Sequence, residues 1–422
     1  MSGLFNVVMY VYTTLGSTIV MPIFLAIIGI VFGMKPWKAL RAGLTVIFGL
    51  AGINLIIGYL GTALSPAITG ITSNVNVAYN TVDVGFATIA SAVFSLPIAA
   101  GVIPICILIN VVMLALKWTK TIDIDIWNMF QIVMCSGIAY TLSGNLIVSF
   151  IIGAIFFIVT LKIADWEAPV WQKELNLPGT VCCALPESST AIMTHFVNKL
   201  FDLIPGLKDF DISSEKANKF KIVSDPIFLG LVIGAAFGII GKLDIVGVLN
   251  TAVGLAATLV LMPKMAALLL EGCAPISQAA KKFMSEKANG REVYIAVDIA
   301  CGIGNPNVIT ASTIGIPVYI LLATLLPGNT WFPLVSITGL CWNAVACVIH
   351  SKNNLFRSIV CMILFCIAHC YVETLLAPQV TQMVLSAGLA VPEGFKYVAG
   401  GSPETLFMCF IKPVLSVFGL VK

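Results

Sequence analysis

Charge is the scarcest property of this 422-residue chain. Only 10% of its residues are Asp, Glu, Lys or Arg, whereas soluble globular proteins carry about 25%. Hydrophobic residues make up 59% of the chain, and its mean hydropathy is +1.01. So few charges cannot cover a large water-facing surface, which excludes an ordinary soluble protein and indicates an integral membrane protein. The net charge of +3 is small and dispersed, so nothing indicates nucleic-acid binding.

Motifs that carry covalent or metal chemistry are also missing. The sequence has no Walker loop, no Ser/His/Asp arrangement and no spaced metal-ligand cluster. This disfavours an ATP-driven pump and leads us to expect no catalytic residue, no cofactor and no metal in this chain. The 12 cysteines lie mostly in apolar runs, as Cys361, Cys366 and Cys370 do, and are interpreted as small buried hydrophobic residues. The N-terminal apolar stretch lacks a basic region, so a cleavable signal is not expected.

What the chain does contain is an internal repeat. Residues 21–33 read MPIFLAIIGIVFG, and residues 225–238 read DPIFLGLVIGAAFG. Further matches follow in the same order: residues 49–52 match 254–257, and the segment around Asp83 matches that around Asp298. Duplicated halves in an apolar chain are typical of membrane transporters, whose substrate binds where the halves meet.

The apolar segments predict about eleven membrane-spanning helices, since roughly 20 residues cross a bilayer. They lie at about 8–33, 40–61, 98–116, 127–142, 145–163, 226–241, 245–270, 313–326, 331–349, 356–377 and 405–421. Two further apolar pieces, about 84–96 and 293–309, are too short or too broken to span. We interpret both as re-entrant hairpins or broken helices.

The distribution of basic residues orients these helices. Alternating sides place all of the 23 Lys and Arg residues in the cytoplasm except Lys242, Lys396 and Lys412. Five spans, an odd number, precede the second repeat, so the halves are inserted upside down relative to each other.

We therefore predict an all-α polytopic protein with two inverted repeats of five helices plus one. The first repeat covers 1–164, a cytoplasmic or central connecting segment covers 165–224, and the second repeat covers 225–377. Residues 378–422 form an external loop and the final helix.

Asp83 and Asp298 are the leading candidate functional residues. An ionisable group at membrane depth costs several kcal/mol unless it faces water or a partner, so such groups mark transport pathways. Their matched places in the two halves favour a functional role. Each aspartate could instead cap the start of a helix.

Polar residues near two prolines form the second group of candidates. Cys301–Asn307 (CGIGNPN) cannot continue a helix, so it lines a cavity or forms an interfacial loop. Asn305 within it could both donate to and accept from hydroxyl groups. Glu187 and Ser188 follow Pro186 and could bind a polyhydroxylated ligand. Alternatively, Glu187 is an ordinary acid at a helix start.

Two histidines, His369 and His195, are further candidates for a functional role. His369 and Glu373 share one helical face and could relay protons, although a satisfied buried pair is the simpler interpretation. His195, near Glu187, is interpreted as structural.

Short motifs along the whole chain resemble the galactitol-type enzyme IIC membrane subunit of the bacterial sugar phosphotransferase system. They are Val82–Gly85, Asp123–Asn128 (DIDIWN), Asp165-Trp166, Met262-Pro263, Pro327–Asn329, Asn354–Arg357 and Gly400–Pro403. Each motif is short, but their joint order is specific.

The resemblance, which extends to the ascorbate-type transporters, implies a homodimer in the bacterial inner membrane. A core that carries the substrate would move against a scaffold as an elevator. Substrate would be phosphorylated by a separate phospho-IIB protein that IIA recharges, so this chain is the non-catalytic subunit of a sugar phosphotransferase. By position, Asp83 and Gly85 match the first hairpin motif, and Asp298 matches the acidic residue of the second.

The chain departs from the family's pattern at two places in the expected ligand site. Glu187 and Ser188 stand where a histidine and a glycine are expected, and Gly304-Asn305 stands in place of a glycine–histidine pair. Exchanging imidazole for carboxylate and amide changes the donors and acceptors. The expected substrate is therefore galactitol or a related polyol or sugar, bound by Asp83, Gly85, Glu187, Ser188, Asp298 and Asn305.

Two other functions stay open at this point. An ion-coupled secondary carrier would use His369 and Glu373 as its relay. A non-transporting membrane scaffold or receptor would need no polar hairpins.

Overall fold

A computed structural model describes residues 29–74, 80–86, 98–123, 125–207, 210–211, 226–287, 292–333, 336–387, 390–391, 395–400 and 406–421, with isolated residues between 23 and 27 and between 89 and 96. Helices dominate these residues. In chain order they are α1 (Pro36–Asn74), α2 (Ala99–Ala115), α3 (Ile126–Ser143), α4 (Leu146–Leu175), α5 (Leu185–Leu203), α6 (Pro226–Ile240), α7 (Ile245–Lys287), α8 (Pro306–Leu325), α9 (Leu340–His350), α10 (Leu355–Ser386) and α11 (Ile411–Val417). Short 3-10 helices cover Ile299–Gly302, Ser336–Gly339 and Leu406–Phe410.

Five short strands correct the all-α prediction. They are β1 (Thr81–Asp83), β2 (Thr121–Ile122), β3 (Thr180–Cys182), β4 (Tyr294–Val297) and β5 (Tyr397–Ala399). Each has two to four residues, too few for a period-2 pattern to show in an apolar sequence. Paired strands satisfy the backbone groups of segments that leave the helical state.

The strand pairings interlock the two halves of the chain. β1 pairs in parallel with β5 and makes a bridge to Trp331, so a first-half strand lies between second-half residues. The second-half strand β4 lies between β2 and β3 of the first half, again in parallel. Each half therefore supplies the central strand of the other half's small sheet.

Three helices form a group of their own. α7 packs along α1 and α6, and α1 also contacts α6. Small residues make these contacts close: a Cβ on Gly70 would lie 1.9 Å from the carbonyl oxygen of Gly241. The fold has two hydrophobic clusters. One is centred on α8, α9 and α10 and also includes residues of α1, α6 and α7, and the other is centred on α2, α3 and α4.

The outer surface is apolar, as the composition predicts. On α4, Ile147, Ile151, Ile155 and Ile158 are 69%, 53%, 49% and 39% exposed and recur on one helical face. Among the described residues, α4, α8 and α10 are long and apolar enough to cross a membrane, and shorter apolar helices accompany them. A face of exposed isoleucines is stable against lipid rather than water.

Most predicted apolar segments coincide with helices, but their bounds differ. The predicted segment 98–116 corresponds to α2 and 127–142 to α3, while α1, α4, α7 and α10 extend well beyond the predicted spans. The repeat bounds at 164 and 377 fall inside α4 and α10. The first span, at 8–33, and the hairpin at 84–96 lie mostly outside the described residues.

Two segments have more structure than predicted. The piece 293–309 consists of β4, a 3-10 turn and the start of α8, so its helix is broken as expected but preceded by a strand. The connecting segment 165–224 contains β3 and α5, whose first turn is fully buried. Glu187 therefore lies inside the protein and not in a surface loop.

Candidate functional site

The start of α5 is held by a neighbouring helix. Its N-cap residue, Ala184, has no side chain to cap the helix, and Pro186 follows in the first turn. The Gln131 side chain on α3 accepts a hydrogen bond from the Leu185 backbone N–H at 2.7 Å. This bond replaces a local cap and fixes the direction in which the first turn of α5, with Glu187 and Ser188, enters the core.

Glu187 lies opposite a second buried glutamate and a histidine. Glu167 comes from α4, and His350 is the last residue of α9. His350 Nε2 lies 3.5 Å from Glu167 Oε2 and 4.0 Å from Glu187 Oε1. The four carboxylate oxygens and this ring nitrogen are buried and have no hydrogen-bond partner in the described part of the chain. We call Glu167, Glu187 and His350 the glutamate–histidine cluster.

Aromatic packing fixes the orientation of this histidine. The Trp166 ring stacks on His350 at 5.4 Å between centroids and meets His195 edge-on at 5.1 Å. His195 thus has the structural contact that the sequence suggested.

Asp298 lies on the same side of the protein as Glu187. It follows β4, whose partner strand β3 ends at Cys182. That pairing places Cys182 opposite Val297, the residue before Asp298, and Glu187 lies five positions after Cys182. Asp298 is half-buried and accepts a bond from the Ala300 backbone N–H at 2.7 Å, so it also caps the 3-10 turn. The structure thereby brings Glu187, Ser188 and Asp298 into one region.

Asp83 is part of a different arrangement. Its Oδ1 accepts bonds from Gly85 N at 3.0 Å and from Ser336 Oγ at 2.6 Å, and its Oδ2 accepts from Ser336 N at 2.7 Å. Gly85 has a φ of 77°, which glycine adopts at little cost and other residues rarely adopt. Asp83 therefore holds the end of β1 against the 3-10 turn before α9.

Asn305 binds the turn between α9 and α10. Its Oδ1 accepts a bond from Asn307 N, and its Nδ2 donates to Asn353 Oδ1 at 2.7 Å. Asn353 donates in turn to Glu174 Oε2 at 2.7 Å. Asn305 is therefore linked to the end of α4 through this turn.

A narrow cavity lies beside the first turn of α5. It has a volume of about 10 Å³, room for roughly one water molecule, between α5, α9, α10 and Leu406. Its polar wall consists of Ser189, Thr190, Asn343 and His369. The hydroxyl groups of Ser189 and Thr190 donate to the Pro186 carbonyl at 2.9 and 2.8 Å, which leaves their oxygens as acceptors.

His369 and Glu373 form a buried pair next to this cavity. His369 Nε2 lies 3.2 Å from Glu373 Oε1, and the other ring nitrogen is hydrogen-bonded to the Tyr319 hydroxyl. Phe365 stacks on the imidazole at 5.0 Å. The two side chains are therefore buried and close together, and their interpretation as a satisfied pair and not a relay stays a prediction.

An aromatic cluster that the sequence did not indicate adjoins Gly85. The Phe86 ring lies 5.1 Å from Trp127 and 6.0 Å from Trp342. Trp342 Nε1 is buried without a hydrogen-bond partner in the described residues.

The sequence did not indicate Glu167, His350 or Trp342 as functional residues. His350 and Trp342 lie more than a hundred positions from Glu167 and Phe86, their respective neighbours in space. The available signal was that Glu167 and His350 are polar residues next to apolar segments.

Comparison with known proteins adds the family context. The family model described as "PTS system sugar-specific permease component" matches residues 11–394. A "Putative permease IIC component" of Escherichia coli K12 is 31% identical over 411 residues, which are 96% of this chain and 93% of that protein. The "PTS system galactitol-specific EIIC component" proteins of E. coli K12 and O157:H7 are each 29% identical over 408 residues, 95% of this chain and 90% of theirs.

Proposed function

Because this chain belongs to the family of PTS (phosphotransferase system) sugar-specific permease components, we propose that it imports a sugar alcohol or a related neutral sugar across the bacterial inner membrane. The family acts on sugars together with IIB and IIA components. Phospho-IIB would phosphorylate the imported substrate, and this chain would supply the binding site and the passage. Galactitol is the first substrate to test, since two similar proteins are named for it.

The observation that carries this proposal is a group of buried oxygen atoms without hydrogen-bond partners at the start of α5. Both oxygens of Glu187 and the hydroxyl of Ser188 are buried without a hydrogen-bond partner in the described residues. Buried polar groups are normally satisfied, so unsatisfied ones suggest a ligand. Sugar hydroxyls donate well to carboxylates, and the cavity lined by Ser189, Thr190 and Asn343 is adjacent.

Charge favours a neutral sugar over a sugar acid. Within the described ranges, the ion pairs of Glu167 and Glu187 involve His350 and no Lys or Arg. A carboxylate or phosphate on the ligand would therefore find no Lys or Arg partner at these two glutamates. A polyol offers only hydroxyl groups.

The six residues predicted from the sequence divide into two roles in this proposal. Glu187, Ser188 and Asp298 bind ligand hydroxyls. Asp83 and Gly85 hold the end of β1, and Asn305 holds the turn between α9 and α10, so these three support the backbone around the ligand.

The architecture we propose is a homodimer of inverted repeats that works as an elevator. Two stretches of the chain have the same order of elements: a strand, a helix, a strand or bridge, two helices and a strand. The first runs from β1 to β3, and the second runs from β4 to β5 with the bridge at Trp331. This repeated order supports a duplication. The closely packed helices α1, α6 and α7 would be the scaffold, and the remaining helices would carry the substrate.

A substitution at Glu187 tests the proposed site. In cells that express the cognate IIB and IIA, Glu187→Gln keeps the side-chain volume but removes the charged acceptor. A hydrogen bond to a charged group contributes about 1.5–3 kcal/mol, so we expect kcat/KM for polyol uptake to fall about 10- to 100-fold. Glu292→Gln, at an exposed glutamate paired with Lys120, is the matched control and should transport normally.

The same assay separates the proposal from an ion-coupled carrier. The observation that favours a carrier is His369, which lines the cavity and faces Glu373. Suppose that Glu373→Gln and a protonophore both abolish uptake while Glu187→Gln does not. Glu187 would then not bind the sugar, and transport would be coupled to protons instead of phosphorylation.

A further inference from the structure

The glutamate–histidine cluster has more negative charge than its surroundings neutralise. The side chains of Glu167 and Glu187 are 0% exposed, and that of His350 is 3% exposed. Their salt-bridge partners among the described residues include no Lys or Arg. Two carboxylates in such a place are stable only if a cation or a proton joins them.

The distances argue against ordinary hydrogen bonds between the histidine and either glutamate. His350 Nε2 lies 3.5 Å from one glutamate oxygen and 4.0 Å from the other, both beyond the 2.7–3.2 Å of an ordinary N–H···O bond. A proton shared between the carboxyl groups would still leave the imidazole nitrogen without a partner at ordinary hydrogen-bond distance.

The same distances suit ligands that share one metal ion. All three ligand atoms lie within 4.8 Å of one another. Around a tetrahedral ion with bonds of about 2.0–2.2 Å, ligand atoms are separated by about 3.3–3.6 Å. A small inward movement of the Glu187 carboxylate would bring the three ligands to such distances and leave the fourth position open.

We propose that Glu167, Glu187 and His350 bind one divalent transition-metal ion of the zinc or manganese type. The mixed carboxylate and imidazole ligands suit these ions better than magnesium or calcium, which prefer oxygen ligands alone. Two carboxylates and one divalent ion form a neutral unit, which removes the cost of the buried charges. The ion would tie α4 and α5 to α9, a helix of the second half.

This site shares Glu187 with the proposed sugar binding. The ion would bind Oε1, the Glu187 oxygen nearest His350, and the sugar would bind Oε2. Ion binding is therefore measured without sugar, and its failure leaves the uptake prediction at Glu187 standing.

The test is equilibrium zinc binding to the purified full-length protein in detergent, after chelator treatment. We expect one zinc ion per protomer. Glu167→Gln and His350→Gln should each weaken binding by at least the roughly 10- to 100-fold that loss of an outer-shell partner costs. The matched control is Glu373→Gln, which alters the other buried glutamate paired with a histidine and should leave zinc binding unchanged.

A second measurement does not depend on the variants being folded. X-ray absorption of the zinc-loaded natural protein should show nitrogen and oxygen ligands. Absence of a stoichiometric ion would overturn the proposal and assign the cluster to bound protons. Sulfur ligation, which would implicate the neighbouring Cys182, would overturn it as well, and so would zinc binding that both variants leave intact.

Discussion

At the scale of single residues, the buried acids differ in how they are satisfied. Three backbone and side-chain donors surround the Asp83 carboxylate, whereas the oxygens of Glu187 meet no donor in the described residues. Since both groups are buried, burial alone does not identify a ligand site. The distinction is whether the protein itself completes the hydrogen bonds.

This distinction predicts that Asp83 matters for stability. Asp83→Asn places an NH₂ group where Oδ1 or Oδ2 accepts from Ser336, so one buried donor loses its acceptor. The free energy of unfolding should fall by about 1–3 kcal/mol, measured as a lower Tm of the detergent-solubilised protein. Asp244→Asn is the control, because Asp244 accepts from Gly247 N at an exposed helix start, where Asn serves equally well. Equal Tm values for the two variants would contradict this role of Asp83.

At the scale of elements, small residues decide how closely helices approach. Gly230, Gly234 and Gly238 recur every fourth residue on α6 and face Ala256, Ala252 and Val248 of α7. A Cβ on Gly234 would lie 2.5 Å from Ala252 Cα and 2.6 Å from Thr251 O. Both are backbone atoms, which cannot move away as a side chain can by changing its rotamer. The contact between α6 and α7 at this position therefore requires glycine.

Gly234→Val should therefore separate α6 from α7. We expect a loss of at least the roughly 1–3 kcal/mol that overpacking costs, seen as lower yield and lower Tm. Ala236→Val adds a side chain of the same kind at an exposed place on the same helix and should be tolerated. If both variants accumulate equally, the α6–α7 contact is less close than described.

Elements also show what the sequence could and could not predict. α2 and α3 were located to within a residue, because apolar runs end at polar residues such as Asp125, which caps α3. The strands were missed, because β2 has two residues and pairs with β4 far along the chain. The sequence does not decide whether α5 is buried, because its first turn is polar and its contacts lie on α3, α4, α9 and α10.

The candidate site was predictable only in part. The sequence indicates Asp298 as an ionisable group at membrane depth and Glu187 as an acid after Pro186 in a polar segment, and the pairing of β3 with β4 brings these two segments together. Glu167 and His350 join them only through the packing of α4 and α9. A single sequence does not show which distant helices will touch.

At the scale of the whole molecule, the exchanged strands make the halves interdependent. The first-half strand β1 forms its backbone hydrogen bonds with β5, and the second-half strand β4 forms them with β2 and β3. A half produced alone would leave these groups unpaired in an apolar environment, at a cost of several kcal/mol each.

We therefore expect neither half to accumulate alone. Fragments 1–211 and 226–422, each expressed separately, should be degraded, whereas co-expression should restore a complex that co-purifies and transports the sugar. Stable accumulation of either fragment by itself would show that each half folds independently.

The central claim is that this permease delivers its sugar to phosphorylation by IIB. The most direct test is uptake of a panel of labelled polyols, galactitol among them, in cells with and without the cognate IIB. We predict that a phosphorylated product accumulates only when IIB is present, and that a protonophore added to vesicles charged with phospho-IIB does not stop it. Accumulation of the unmodified polyol without IIB would contradict the account and establish an ion-coupled carrier instead.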